Sequence, residues 1–202
     1  HLDTDTQGVT NKEDERKGMA ASAHMQRAFT WSNGLSILEW DGEVYNSNPR
    51  HADMSDLSYV WERFDVVFSS LAVHYVEDFA AFVRGVYDVL NPGGYFIFSQ
   101  EHPLTTAPIS GAGWFRDDDG NVLHYKLTDY ARGGERSTKW FVEGVRKYHR
   151  TFSEIVNSLC DAGFTVERMM EPIPSAETIA MDKSWEKDLH KPNFLLVKAK
   201  KQ

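Results

Sequence analysis

Hydrophobic and polar positions along the chain fall into blocks of different period, and the middle block is the clearest. FDVVFSS (64–70) is a short apolar, β-branched run, the pattern of a strand buried on both faces. In VEDFAAFVRGVYDVL (76–90) the residues Val76, Phe79, Phe82, Val83, Val86, Tyr87 and Leu90 recur at three and four, which is one face of a helix. Asn91-Pro92-Gly93-Gly94 stops that helix. YFIFS (95–99) is a second buried strand. Strand, helix and strand in close succession predict a right-handed βαβ unit within a parallel sheet.

The last third shows the same alternation. Thr151-Phe152-Ser153-Glu154 is a capping box that opens a helix ending at Gly163. FTVERMM (164–170) alternates as a strand, residues 175–190 predict a surface helix, and NFLLVKAK (193–200) predicts a closing strand. Residues 101–150 carry no sustained helical period. They are rich in aromatics, including Trp114, Phe115, Tyr125, Tyr130, Trp140, Phe141 and Tyr148, and contain short antiparallel pieces. A connection of that length is functional when it is ordered. At the other end, residues 1–29 are polar and predict a surface helix from about Thr10 or Asn11, or a partly disordered arm. LSILEWDGEVYN (35–46) predicts a hairpin about Asp41-Gly42. The chain thus divides into a divergent polar segment, 1–49, and an α/β domain, 50–202, with an insertion over 101–150.

Composition narrows the partners. The 202 residues include 41% hydrophobic and 26% charged positions, enough for one ordinary core. A net charge of −8 disfavours nucleic acid, which requires a basic face. No apolar run approaches a membrane span, and the lone Cys160 suits a reducing compartment, so a cytoplasmic location is expected. No ligand spacing for a metal is present, so no metal is expected.

In open parallel sheets ligands bind beyond the carboxyl ends of the strands. Two such ends are legible, one carrying Ser69, Ser70, Leu71, His74 and Tyr75, the other Ser99, Gln100, Glu101 and His102. Parallel strands bring both to one rim, with His74 and His102 at one crevice.

RHADMSDL (50–57), FDVVFSSLAVHYV (64–76), LNPGGYFIFS (90–99) and the downstream KYHRTFSEIVNSLCDAGFTVERMMEP resemble, as an ordered set, the class I S-adenosylmethionine-dependent methyltransferases, closest to the small-molecule type-11 branch. The resemblance spans about residues 50–200 and implies a Rossmann-like α/β sandwich with a mostly parallel sheet. It implies S-adenosylmethionine as cofactor and a small-molecule methyl acceptor. Asp53 and Met54 match the acidic turn that meets adenine, and Ser70 and Leu71 match the loop against the methionine part. His102, His74 and His149 are the candidate bases, since imidazole titrates near neutrality. Tyr75, Glu101, Trp114, Tyr148 and Arg150 fall on the acceptor side. The family's glycine-rich turn after its first strand has no counterpart here, so the N-terminal half is truncated or altered. The alternative is a catalytically inactive, methyltransferase-like binding or regulatory module, in which an exposed sheet edge would favour a homo-oligomer.

Overall fold

The computed structural model describes residues 27–31, 35–40, 45–50, 57, 60–61, 63–110, 113–138 and 145–202, the first three groups as strand backbone. Its centre is the expected unit: β4 (Phe64–Ser70), helix α1 (Phe79–Val89) and β5 (Leu90–Glu101). β4 and β5 pair in parallel, with Ser70 opposite Ser99. The Asp78 side chain accepts from the Ala81 N–H and starts α1. Gly93 then turns the chain at φ +79°. A Cβ on Gly94 would meet the Asn91 carbonyl at 2.9 Å and the Asp65 carbonyl at 3.0 Å, so this turn has room only for glycine.

The apolar face of α1 packs on the β5 side of the sheet. Phe82 meets Phe96 edge-on at 5.9 Å, and Phe79 meets Phe98 at 6.2 Å. Helix α3 (Phe152–Asp161) begins at the complete Thr151/Glu154 capping box and adds Ile155 and Leu159 to the same core. The buried Lys201 donates to the carbonyls of Tyr87 and Leu90 at the carboxyl end of α1, where a cation complements the helix dipole.

β10 (Phe164–Met170) and β11 (Phe194–Lys201) complete this side, and the full order is β10-β11-β5-β4-β1-β2-β3. β1 (Arg27–Trp31) lies parallel to β4, with Trp31 level with Ser69. The expected hairpin forms as β2 (Leu35–Trp40) and β3 (Tyr45–Arg50), Trp40 opposite Tyr45.

The α/β architecture is as expected, but the sheet is more mixed than the sequence implies. β1/β2, β2/β3, β10/β11 and β11/β5 are all antiparallel. Length explains the first two, because the connections 32–34 and 41–44 are far shorter than a parallel crossover requires. β1 to β3 also carry the sheet through the segment 1–49 that the sequence sets apart. The helix expected from Thr10 lies outside the described residues up to Arg27, where a strand begins. The helix expected over 175–190 divides into α4 (Ala176–Met181) and a 3₁₀ turn, Lys183–Leu189, because Asp182 leaves helical geometry and caps Ser184.

Among its described residues the insertion forms two ribbons. β6 (Gly113–Arg116) pairs with β7 (Val122–Lys126), and β8 (Gly134–Thr138) pairs with β9 (Val145–His149). A short helix, α2 (Pro103–Thr106), leads from β5 into them.

Candidate functional site at the β4–β5 rim

The carboxyl ends of β1, β4 and β5 stand side by side, and the chain leaves β4 through a strained bend. Leu71 is held at φ +49°, a region that costs a branched residue about 1 kcal/mol. Its N–H donates to both the carbonyl (3.0 Å) and the Oγ (3.1 Å) of Ser99, so β5 fixes the bend. The Leu71 side chain is exposed, as expected of a residue kept for contact with something else. A 3₁₀ turn, Val73–Tyr75, follows.

Just before the bend, the Ser69 hydroxyl is fully buried and has no hydrogen-bond partner among the described residues. A buried unpaired hydroxyl is a liability rather than a support. Ser69→Ala is therefore expected to leave stability unchanged or raise it by up to about 1 kcal/mol in urea unfolding.

His74, buried at 3% exposure, faces Glu101 twice. Its Nδ1 accepts from the Glu101 N–H at 3.3 Å, which leaves the proton on Nε2, 4.0 Å from Glu101 Oε1. Burial, opposed by the Glu101 charge, lowers its pKa to about 4, so the ring is neutral near pH 7. The Tyr75 ring lies tilted against it, centroids 4.2 Å apart, and burial followed by Glu101 raises the phenol pKa. The other oxygen of Glu101 accepts from Lys147 Nζ at 2.5 Å. Glu101 is therefore the negative centre of the rim.

The other two histidines are fastened at both nitrogens. His102 Nδ1 accepts from the Leu104 N–H and caps α2, while its Nε2 meets Glu171 Oε1 at 2.9 Å. His149 Nδ1 meets Thr106 Oγ1 at 2.8 Å, and its Nε2 meets the Tyr130 carbonyl at 2.9 Å. Burial lowers both pKa values. The free basic nitrogen that the sequence suggests is already occupied in each ring. Arg150 is committed in the same way. It donates to the carbonyls of Val76 and Glu77 and lies over the Phe79 ring at 5.2 Å, so its fork grips the loop after β4 rather than an incoming acid. Burial brings its pKa down to about 10, still fully charged at neutrality.

The rim thus gathers Ser70, Leu71, His74, Tyr75, Glu101 and, through β9, Lys147 and Tyr148, whose hydroxyl donates to Glu77 at 3.2 Å. Trp114 sits on the β6–β7 ribbon, edge-on to Tyr125 at 4.9 Å. Asp53, Met54 and Trp140 lie outside the described residues. Sequence reasoning did not single out Lys147 or Lys191. Nothing in the chain distinguishes either from a surface lysine, yet both are largely buried.

A mixed α/β sheet with a strained, exposed bend at its rim defines a Rossmann-like ligand-binding fold. Comparison with known proteins defines it further. Residues 23–98 match the family described as Methyltransferase domain. The crystal structure of an S-adenosylmethionine-dependent methyltransferase from Mesorhizobium loti is 38% identical. It superposes with a TM-score of 0.68 over 75% of this chain and 68% of that one. A Listeria monocytogenes structure assigned to the same class is 33% identical with a TM-score of 0.68, over 76% of this chain and 68% of that one. An uncharacterized protein of Haemophilus influenzae is 39% identical over 142 residues, 68% of this chain and 54% of its own length, so the chain spans about half of that curated relative. The chain belongs to the S-adenosylmethionine-dependent methyltransferases, and S-adenosylmethionine is the cofactor that this membership assigns.

The rim fits that cofactor on its β4 side. The Leu71 bend and the half-buried Ser70 form the exposed shelf at the carboxyl end of β4, beside a parallel β1. On the other side β2 runs antiparallel to β1, so its amino end, Leu35, lies beside Trp31 at the rim.

Proposed function

We propose that this chain transfers a methyl group from S-adenosylmethionine to a small molecule at the β4–β5 rim. The observation that carries the reading is the left-handed Leu71 pinned by Ser99, strain stored where a ligand shelf is needed. Ser70 and Leu71, with Asp53 and Met54, would hold the donor. Bound there, it supplies a methyl on a sulfonium whose departure leaves a neutral product. Tyr75, Glu101, Trp114 and Tyr148 face the acceptor, and the two ribbons that follow β5 support a small molecule over a polymer. A cytoplasmic location accords with the lone, exposed Cys160 and with the absence, among the described residues, of a helix long and apolar enough to cross a membrane.

The main task of the protein is alignment of nucleophile and methyl. Where the acceptor carries a proton, Glu101 is the carboxylate placed to take it. Lys147 holds one of its oxygens, and His74 Nδ1 anchors its backbone N–H. Arg150, His102 and His149 position the loop after β4, α2 and β9. Incubation with methyl-tritiated S-adenosylmethionine and size-fractionated cell extract tests this reading. Label should enter the low-mass fraction and fall about a hundredfold with Glu101→Gln. Label confined to protein or nucleic acid would contradict it.

A further inference from the structure

Lys191 is 5% exposed, yet among the described residues no carboxylate contacts its ammonium. Nζ donates to Thr105 Oγ1 at 2.9 Å and to Asn193 Oδ1 at 2.7 Å. Two rings close over it, Tyr125 at 4.9 Å and Trp114 at 5.6 Å from their centres. These contacts come from three separate places. Thr105 belongs to α2, directly beyond the carboxyl end of β5. Asn193 precedes β11, and its carbonyl receives the His102 N–H at 2.8 Å. Trp114 and Tyr125 are paired across the base of the β6–β7 ribbon. A single ammonium therefore joins the ribbon to the rim through hydrogen bonds on one side and cation–π contacts on the other.

We propose that Lys191 is the positioning residue of the acceptor roof, a cationic clasp that holds the β6–β7 ribbon down over the rim. The proposal rests on the methyltransferase reading for what the roof covers, but the clasp itself does not depend on it. An ion pair in this place would neutralise the charge. A charge left unneutralised in a ring of neutral dipoles and aromatic faces keeps its full attraction for those faces. Trp114, placed on the acceptor side by the sequence, is then a wall whose position Lys191 sets. Asp188, Glu101 and Lys187 act on it through charge, and none of them is within hydrogen-bonding contact of it among the described residues.

Lys191→Met keeps the buried stem and removes the charge, Lys191→Arg keeps a cation that stacks on rings, and Tyr125→Leu removes one wall. Hydrogen exchange on the full chain reads the result. In Lys191→Met and Tyr125→Leu, amides of 113–126 should exchange about tenfold faster, with β4, β5 and α1 unchanged, and Lys191→Arg should restore protection. S-adenosylhomocysteine, titrated as a probe of the donor side, should bind wild type and Lys191→Met equally. Unchanged exchange in the ribbon, faster exchange spread through β4 and β5, or an arginine variant as loose as the methionine one would overturn the clasp. A wild-type chain that fails to bind S-adenosylhomocysteine would instead count against the methyltransferase reading, leaving the exchange result to judge the clasp.

Discussion

Acidification from about pH 6.5 to pH 4 should remove about 3 kcal/mol of stability through His74 alone. The folded ring titrates near 4 and the unfolded ring near 6.5, because burial disfavours the imidazolium more than Glu101 favours it. Between those values the unfolded chain binds the extra proton. The contribution is fully present above pH 6.5 and is lost as pH falls through 4. His102 and His149 are lowered by burial in the same direction and steepen the same window. Urea unfolding at pH 7, 5.5 and 4 measures the slope, and His74→Gln should flatten it. An equal slope in the variant would show that the ring is not held neutral.

Arg136→Met should cost about 3 kcal/mol. Arg136 is almost fully buried and, among the described residues, has no carboxylate against its guanidinium. It donates through Nε and Nη2 to the Ala107 carbonyl at 2.9 and 2.8 Å, and to the carbonyls of Arg132, Gly134 and Glu135. Those carbonyls belong to the end of α2 and the start of β8, so one side chain ties the second ribbon to the rim. Methionine fills similar volume but leaves the buried Ala107 carbonyl unpaired, while the carbonyls of Arg132, Gly134 and Glu135 lie on exposed residues that water reaches. Thermal unfolding, with hydrogen exchange over 130–138, measures the loss. A cost under about 1 kcal/mol would mean that water replaces the guanidinium.

β4, α1 and β5 were legible because each is long enough to show its own period, and α3 because Thr151 and Glu154 announce its start. β1 was not. RAFTW is five residues with no period of its own, and it becomes a strand by lying beside β4. The parallel sheet inferred from one βαβ unit did not extend to β2 and β3, since direction there follows from connection length. At the site, residue types were legible but their commitments were not. His102 and His149 look available in sequence, yet Glu171 on His102 and Thr106 and Tyr130 on His149 come from 69, 43 and 19 residues away. Lys147 and Lys191 carry no local signal at all, because burial of a lysine is decided by what the rest of the chain folds over it.

The central claim is that the β4 shelf holds the methyl donor in a sheet whose β1, β2 and β3 pair antiparallel. Isothermal titration of the intact chain with S-adenosylhomocysteine tests it most directly. The account predicts saturable one-to-one binding with a dissociation constant below about 1 mM, weakened when Leu71 is changed to aspartate. No saturable heat at millimolar ligand would contradict it.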